Sequence, residues 1–249
     1  MRKRRRQNEE PVEKRAKTRL IITVSAAVLI VCVFAVATAK IVHIYSEELP
    51  SIDQLYDIEP SLITYIYAKD GSVIQTYFNE RRVLIPFKDI PEHVINALLA
   101  AEDAKFYNHW GISSYDVMRA IYKNVTEGFG SQGASTISQQ LARMLFLNRK
   151  VSLMRKFKEA LTAIKIERTY SKNEIIEMYL NQYYFGRGAY GIAAAAHAFF
   201  SKSVGELEVN DCAILIGVLK APNTNSPFKN PDKCRRARDR VLYSYYRCG

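Results

Sequence analysis

Glu102 is the residue whose position most favours acid–base chemistry. A helix predicted from Pro91 onward places Glu102 one turn beyond Leu98 and Leu99, on the face that should be buried. A carboxylate there must be hydrogen-bonded, ion-paired or neutral, and burial raises its pKa, which suits a group that transfers protons. The alternative is a glutamate exposed at the helix end beside Asp103. Periodicity alone leaves both interpretations open.

Glu159 is a second carboxylate, on a longer predicted helix. Arg155 and Lys156 are its helix neighbours, and it faces away from the apolar stripe that contains Phe157 and Leu161. This pattern favours a solvated helix face with surface ion pairs, which contribute little stability. A functional role requires that this face line a cleft.

A dense polar stretch lies between the two carboxylates. Residues 132–140 read QGASTISQQ, and Arg143, Arg149 and Lys150 follow them. Hydroxyl and amide groups suit sugar recognition, while the cations suit a phosphate or diphosphate. The alternative is a surface helix capped by Ser135 or Thr136.

Metal and dinucleotide sites of the common kinds are not indicated. The histidines show no HExxH spacing and no CxxC occurs, and a lone histidine such as His109 is more often structural than catalytic. Residues 186–191 read GRGAYG, which matches GxGxxG, but they follow a predicted helix instead of a strand. We therefore interpret them as a tight turn between helices.

The elements that must position these residues are mainly helical. Residues 62–67 and 73–78 are rich in β-branched and aromatic residues on either side of Asp70-Gly71, which predicts a β-hairpin with a type I′ turn. Ser171 and Glu174 predict a capping box at the start of another helix. We expect one mainly α domain of about 200 residues with a small β element.

The net charge of +11 is concentrated at the N-terminus. Residues 1–19 carry +6 and the other 230 residues carry +5, while residues 20–39 contain no charge. A helix of that length spans roughly 30 Å, the thickness of a bilayer core, which predicts an uncleaved membrane anchor with a cytoplasmic N-terminus. The alternative is a signal peptide cleaved after Ala37-Thr38-Ala39. In either case the charge indicates membrane topology, not nucleic-acid binding.

The four cysteines indicate no disulfide scaffold. Cys32 falls within the apolar run, and Cys212 falls in a stretch that should pack in the core. Whether Cys234 and Cys248 pair is left open.

Five stretches, in order and with the family's spacing, resemble the motifs of the peptidoglycan glycosyltransferases (glycosyltransferase family 51). They are residues 102–111 (EDxxFxxHxG), 133–140 (GxSTIxQQ), 155–159 (RKxxE), 177–181 (ExYLN) and 220–227 (KAPNTNSP). The resemblance runs from about residue 85 to about residue 240. Arg143 departs from it slightly, since lysine is common there, but a cation is kept.

The resemblance implies a lysozyme-like, mainly α fold with a larger lobe and a membrane-facing jaw. Together with the charge pattern it divides the chain into a cytoplasmic tail (1–19), a transmembrane signal-anchor helix (20–39), a stalk with the β-hairpin (40–84) and a glycosyltransferase domain (85–249). The catalytic domain is then expected on the outer side of the cytoplasmic membrane.

The implied reaction polymerises lipid II into glycan strands, with inversion at the donor anomeric carbon and loss of the polyprenyl diphosphate. Glu102 would be the base, and Glu159 would act on the leaving-group side with a divalent cation such as Mg²⁺ or Mn²⁺; no organic cofactor is implied. The substrate-binding residues implied by the motifs are Asp103, Phe106, His109, Ser135, Thr136, Gln139, Gln140, Arg143, Lys150, Arg155, Lys156 and Asn181. Among them, Arg143, Lys150 and Lys156 would hold the diphosphate.

The expected partners are lipid II, the growing lipid-linked glycan, the membrane and other cell-wall synthesis proteins, with no nucleic acid. No KTG motif occurs, so the transpeptidase domain that many relatives carry is not expected within these residues. The sequence does not separate a monofunctional protein from the front part of a bifunctional penicillin-binding protein. Two other functions stay open: a lysozyme-like enzyme that cleaves peptidoglycan, and a non-catalytic cell-wall scaffold.

Overall fold

The computed structural model describes residues 17–18, 20–25, 28–29, 32–33, 36, 40, 49, 51–52, 64–77, 81–127, 135–144 and 153–248. The chain divides into two compact units, Met1–Leu49 and Pro50–Gly249. The described residues from 17 to 40 are helical and exposed. No helix built from described residues is both long enough and apolar enough to cross a membrane. Residues 20–39, the predicted span, lie partly outside the described residues.

Two small sheets belong to the second unit. The first is an antiparallel hairpin of β1 (Thr64–Tyr67) and β2 (Val73–Tyr77). The second has the order β3-β5-β4 and consists of β3 (Arg81–Arg82), β4 (Tyr184–Gly186) and β5 (Ala189–Tyr190). β5 runs parallel to β3 and antiparallel to β4.

The hairpin was predicted correctly, but its turn type was not. A type I′ turn needs positive φ at both central residues, and of Asp70 and Gly71 only Gly71 has one, +83°. Gly71 N–H donates to the Ala68 carbonyl over 3.0 Å, and Asp70 Oδ1 accepts from Ser72 N–H over 2.9 Å. The chain therefore turns over five residues, with the glycine in the left-handed position after the turn.

The GxGxxG stretch forms the tight turn that was predicted, with two short strands that were not. Arg187 and Gly188 both have positive φ, +54° and +75°, between the paired residues Gly186 and Ala189. This two-residue connection has the φ signs of a type I′ turn. Arg187 lies over the ring of Phe228, 4.1 Å from its centroid.

Eight α-helices from 92 to 248 are described. They are α1 (Glu92–Glu102), α2 (Ser114–Glu127), α3 (Ile137–Met144), α4 (Leu153–Thr169), α5 (Lys172–Gln182), α6 (Ile192–Phe200), α7 (Val209–Leu219) and α8 (Pro231–Cys248). α5 begins with the predicted capping box: Glu174 N–H donates to Ser171 Oγ, and Ser171 N–H donates to Glu174 Oε2. The domain is mainly α with small sheets, as the sequence predicted.

The core forms where α7 packs against α8 and α1, and where α3 packs against α4 and α5. Its largest fully buried side chains include Tyr179, Phe106, Phe185 and Leu98. Cys212 is buried within α7, which raises the pKa of its thiol to about 12. All four cysteines are free thiols, so Cys234 and Cys248 do not form the disulfide that the sequence left open.

Candidate active site

Glu102 lines a cleft of about 630 Å³ between the ends of several helices. α1 contributes Glu102, and the polar and charged residues facing it from other elements are Arg119, Ser135, Gln140, Arg143, Tyr183, Lys220, Arg240 and Ser244. A second cavity of about 290 Å³ shares Glu102 and Ser135 with the first. Among the described residues, four cations and a single carboxylate line the larger cleft, so it suits an anionic ligand.

The carboxyl group of Glu102 is largely removed from solvent, and its hydrogen-bond partner is a neutral amide, not a cation. Its Oε2 accepts a hydrogen bond from Gln140 Nε2 over 2.8 Å. Burial raises its pKa above the ordinary value, while the Gln140 hydrogen bond and the charges of Lys220 and Arg143 act in the opposite direction. A carboxylate with a raised pKa, open to a cleft, is suited to take a proton from an alcohol.

Gln140 is held from both ends of its amide. Its nitrogen donates to Glu102, and its oxygen accepts from the hydroxyl of Tyr179 over 3.1 Å. Tyr179 is completely buried on α5, which raises the pKa of its phenol well above the ordinary value. The phenol therefore remains a donor over the pH range in which proteins are folded.

Asp103 and His109 support the cleft wall, and Asp103 also lines the second cavity beside Glu102. The Asp103 carboxylate is 3.0 Å from His109 Nε2 and accepts the backbone N–H of Ile137 over 3.0 Å. Ile137 is the first residue of α3, so Asp103 anchors the start of the helix that carries Gln140. Lys172 closes the network by donating to the His109 carbonyl over 2.6 Å. The histidine is structural here, as a lone histidine more often is.

Thr136 and Gln139 form the N-terminal cap of α3. Gln139 N–H donates to Thr136 Oγ1 over 3.1 Å, and Thr136 N–H donates to Gln139 Oε1 over 3.3 Å. Thr136 Oγ1 also donates to the Gly111 carbonyl over 2.7 Å. Both residues are buried and cap the helix. Thr136 also lines the second cavity beside Glu102, and the half-buried Ser135 lines both cavities.

Phe106 and Asn181, two other motif residues, lie in the protein interior. Phe106 is 1 % exposed and packs in the core. Asn181 donates to and accepts from the backbone of Ile85, over 2.8 and 2.9 Å. Glu177 adds a hydrogen bond to Phe87 N–H over 2.7 Å. These contacts hold residues 85–87 against α5 and do not reach the cleft.

The solvated face predicted around Glu159 was wrong. Glu159 is 1 % exposed and lies on a buried helix face with Thr162, Ala163 and Ile166. The predicted apolar stripe of Phe157 and Leu161 is only half-buried. Periodicity failed because α3 covers the polar side of α4, which a pattern within one helix does not report.

Three cations surround the Glu159 carboxylate. Arg155 Nε is 3.0 Å and Arg143 Nε 3.5 Å from Oε1, and Lys156 Nζ is 3.3 Å from Oε2. Lys156 Nζ also donates to Ser135 Oγ over 2.6 Å. Burial lowers the pKa of Lys156, while Glu159 acts to raise it. Arg143 and Lys156 stay nearly half exposed, so each keeps donors free to face a ligand.

This arrangement does not suit the divalent cation that was expected beside Glu159. The only carboxylate of the cluster is already neutralised by guanidinium and ammonium groups, which would repel a metal ion. Within the described residues there is no group of three or more His, Cys, Asp and Glu side chains able to hold a metal. Lys150, the other expected diphosphate ligand, lies outside the described residues.

The sequence interpretation did not name several residues of the cleft. Arg119, Tyr183, Lys220 and Arg240 line it, and Tyr179 lies behind it against Gln140. Lys220 and Tyr179 fall within matched motifs, which could have drawn attention to them. Arg240 comes from a basic helix far along the chain, and no pattern in the sequence places it near Glu102.

The chain matches a known protein family and is similar to parts of larger proteins. Residues 70–246 match the model of a family described as Transglycosylase. Penicillin-binding protein 1A of Neisseria cinerea is 40 % identical over 225 residues, which cover 90 % of this chain and 28 % of that protein. The protein of the same name from Rickettsia typhi is 40 % identical over 215 residues, covering 85 % and 27 %. The chain thus spans little more than a quarter of these relatives.

A solved structure is also similar in part. The crystal structure of penicillin-binding protein 1A from Haemophilus influenzae shares 24 % sequence identity with a TM-score of 0.43, over 75 % of this chain and 18 % of that one.

Proposed function

This chain belongs to the transglycosylase family, as the match over residues 70–246 shows, and from that premise we propose that it is the glycosyltransferase that polymerises lipid II into peptidoglycan strands. The family and the enzyme class agree with the sequence prediction. The observation that carries the substrate proposal is a single raised-pKa carboxylate, Glu102, in a cleft whose other charged lining residues, among those described, are all cations.

In the proposed reaction Glu102 acts as the general base. Its carboxylate takes the proton from the 4-hydroxyl of the acceptor sugar, and that oxygen attacks the anomeric carbon of the donor. The bond to the polyprenyl diphosphate breaks with the electron pair going to the diphosphate. A single displacement of this kind inverts the anomeric configuration and needs one base, in agreement with one desolvated, raised-pKa carboxylate in the cleft.

The departing diphosphate gathers negative charge, and fixed cations stabilise it in a cleft of low dielectric. Arg143 and Lys156 are placed for this because Glu159 holds both of them while leaving them nearly half exposed. We therefore assign Glu159 to the orientation of these cations instead of to proton transfer. No step needs a metal ion or an organic cofactor.

We place the chain at the cytoplasmic membrane, with its N-terminus cytoplasmic and its catalytic unit outside. Residues 20–39 carry no charge and follow a segment of charge +6, a pattern typical of a signal anchor. A polyprenyl-linked substrate stays in the bilayer, so an enzyme held beside it meets its substrate directly. Other cell-wall synthesis proteins are its expected partners.

The decisive experiment is polymerisation of lipid II by the reconstituted chain and by Glu102→Gln. We expect glycan polymer from the wild type and a loss of at least about 100-fold in the variant, since loss of a general base commonly costs that much. Glu92→Gln is the matched control, because Glu92 is exposed at the other end of the same helix. A fully active Glu102→Gln protein would refute the mechanism.

The two alternative functions predict different products. A lysozyme-like enzyme would release muropeptides from finished cell wall without a lipid carrier, and a scaffold would turn over neither substrate. The four cations of the cleft favour a substrate that carries a diphosphate over a finished glycan that lacks one. Incubation of the chain with purified cell wall, in parallel with lipid II, separates all three.

A further inference from the structure

Tyr179, Gln140 and Glu102 form one hydrogen-bonded line from the core to the cleft. Tyr179 Oη donates to Gln140 Oε1 over 3.1 Å, and Gln140 Nε2 donates to Glu102 Oε2 over 2.8 Å. Tyr179 is 0 % exposed and Gln140 is half-buried. The phenol therefore cannot touch a ligand in the cleft. It reaches Glu102 through the Gln140 amide, and it also has a side-chain hydrogen-bond interaction with Tyr183, which lines the cleft.

The direction of these bonds is set by the phenol. The Gln140 amide could present either its NH₂ group or its oxygen to Glu102. The oxygen would repel an ionised carboxylate, and the NH₂ group stabilises it. Because the phenol donates to the amide oxygen, the NH₂ group is left facing Glu102, which is the orientation that supports the ionised base.

We propose that Tyr179 is a positioning residue for Glu102, acting through Gln140 to hold the carboxylate in place and to favour its ionised form. This inference rests on the proposed role of Glu102 as general base. It assigns Gln140 to the base as well as to the sugar sites. The amide keeps one N–H for a substrate, because only one of its two is used by Glu102.

Other charged and titratable groups also face Glu102, but the hydrogen bond to its carboxylate comes from Gln140. They are Asp103 on its own side, and Arg119, Arg143, Tyr183, Lys220 and Arg240 from the elements packed against it. Tyr183, the second tyrosine of the cluster, donates its hydroxyl to the Leu219 carbonyl over 3.2 Å. Its ring packs on that of Tyr179 at 5.0 Å between centroids.

Removing the Tyr179 hydroxyl should raise the pKa of the Glu102 carboxyl group without changing substrate binding. In Tyr179→Phe the Gln140 amide is free to reverse and to turn its oxygen toward Glu102, which favours the protonated acid. We expect kcat for lipid II polymerisation to fall roughly 3- to 10-fold near neutral pH, the value of one net hydrogen bond. The rise of kcat with pH should move to higher pH by about half a unit, while KM stays within about twofold.

Three further proteins make the test decisive. Tyr184→Phe is the control for loss of a partly buried tyrosine hydroxyl, since Tyr184 lies in β4 against Tyr190, and its pH profile should match the wild type. Gln140→Met should lose activity at least as strongly as Tyr179→Phe. The double variant should be no worse than Gln140→Met, because both changes break the same line.

The proposal is overturned if the Tyr179→Phe pH profile is unshifted, or if the two losses multiply in the double variant. Should Tyr179→Phe not fold, as judged by thermal unfolding, the shift must appear in Gln140→Met, and an unshifted profile there has the same consequence. Inactivity of the wild-type chain would instead contradict the proposed function, so the two failures are distinguishable.

Discussion

Glu102 and Glu159 are the same residue type in environments of opposite character. Glu102 accepts a hydrogen bond from a neutral amide at the wall of a cleft, whereas Glu159 is buried against three cations. A buried carboxylate whose charge is not balanced by nearby cations is reactive. One whose charge is balanced by cations is structural. This difference has a consequence for stability as well as for activity.

We expect Glu102→Gln to stabilise the protein at neutral pH. Because folding raises the pKa of Glu102 above 4.5, the ionised carboxylate opposes folding once the pH exceeds that value. Below about pH 4 the group is protonated in both states and the cost disappears. Thermal unfolding should therefore give a higher Tm for the variant near pH 7, and the difference should vanish by about pH 4. A variant that is less stable at neutral pH would contradict this.

Glu159→Gln is the comparison for that experiment. Removing this carboxylate leaves Arg143, Arg155 and Lys156 facing one another without an anion, so the expected sign is opposite. The cost should be about 1–3 kcal/mol, less than for a fully buried pair because Arg143 and Lys156 are nearly half exposed. Both variants should lose activity, and only this one should lose stability.

The elements place these residues through short, specific backbone contacts. The turn at Gly111 lies against the backbone of α4 and accepts the Thr136 hydroxyl at the start of α3. Gly111 has φ of +102°, and a Cβ added there would lie 2.9 Å from the carbonyl carbon and oxygen of Ala163. Only glycine both adopts this positive φ readily and has no Cβ to collide with α4.

We expect Gly111→Ala to destabilise the domain more than Gly188→Ala. Gly188 also has a positive φ, +75°, but nothing lies within 4 Å of its added Cβ, so its replacement has only the backbone strain of about 1–2 kcal/mol. That strain corresponds to a Tm lower by roughly 2–8 °C, and Gly111→Ala should lose at least about twice as much because α4 must also move. Equal decreases in Tm for the two variants would contradict this prediction, because they would show that α4 moves away from the added Cβ without loss of stability.

At the scale of the whole molecule, charge and exposed apolar surface are the observations that support the proposed membrane location. The first 19 residues carry +6, and α2 presents an exposed stripe of Tyr115, Met118 and Tyr122 in the second unit. Trp110 precedes this helix and is 65 % exposed. Exposed aromatic and apolar side chains on one helix face are typical of a surface that contacts lipid.

Trp110 makes this surface measurable, since the chain has a single tryptophan. In the chain reconstituted into vesicles, brominated lipids should quench Trp110 fluorescence, and Met118→Asp should reduce that quenching by weakening the stripe. Phe228→Asp is the control, because Phe228 is exposed in a different cluster with Phe199 and Arg187. Quenching that is absent in the wild type would place the stripe in water.

Much of the local structure followed from neighbouring residues. Ser171 and Glu174 are three apart, so they form a cap wherever that helix lies. Leu98 is buried and Leu99 is half-buried, in agreement with the predicted face of α1. A type I′ turn was predicted at Asp70-Gly71, but the left-handed pair of residues occurs at Arg187-Gly188, because strand pairing, not the dipeptide alone, selects the turn.

The sequence by itself determined the motifs, their order and the family, since these are properties of the chain in one dimension. Tertiary structure alone decided that Glu159 is buried, and that Tyr179 reaches Glu102 through a residue 38 positions from Glu102 and 39 from Tyr179. The physical reason is that periodicity reports which face of a helix is apolar, whereas the chemistry of a carboxylate depends on what another element places against it.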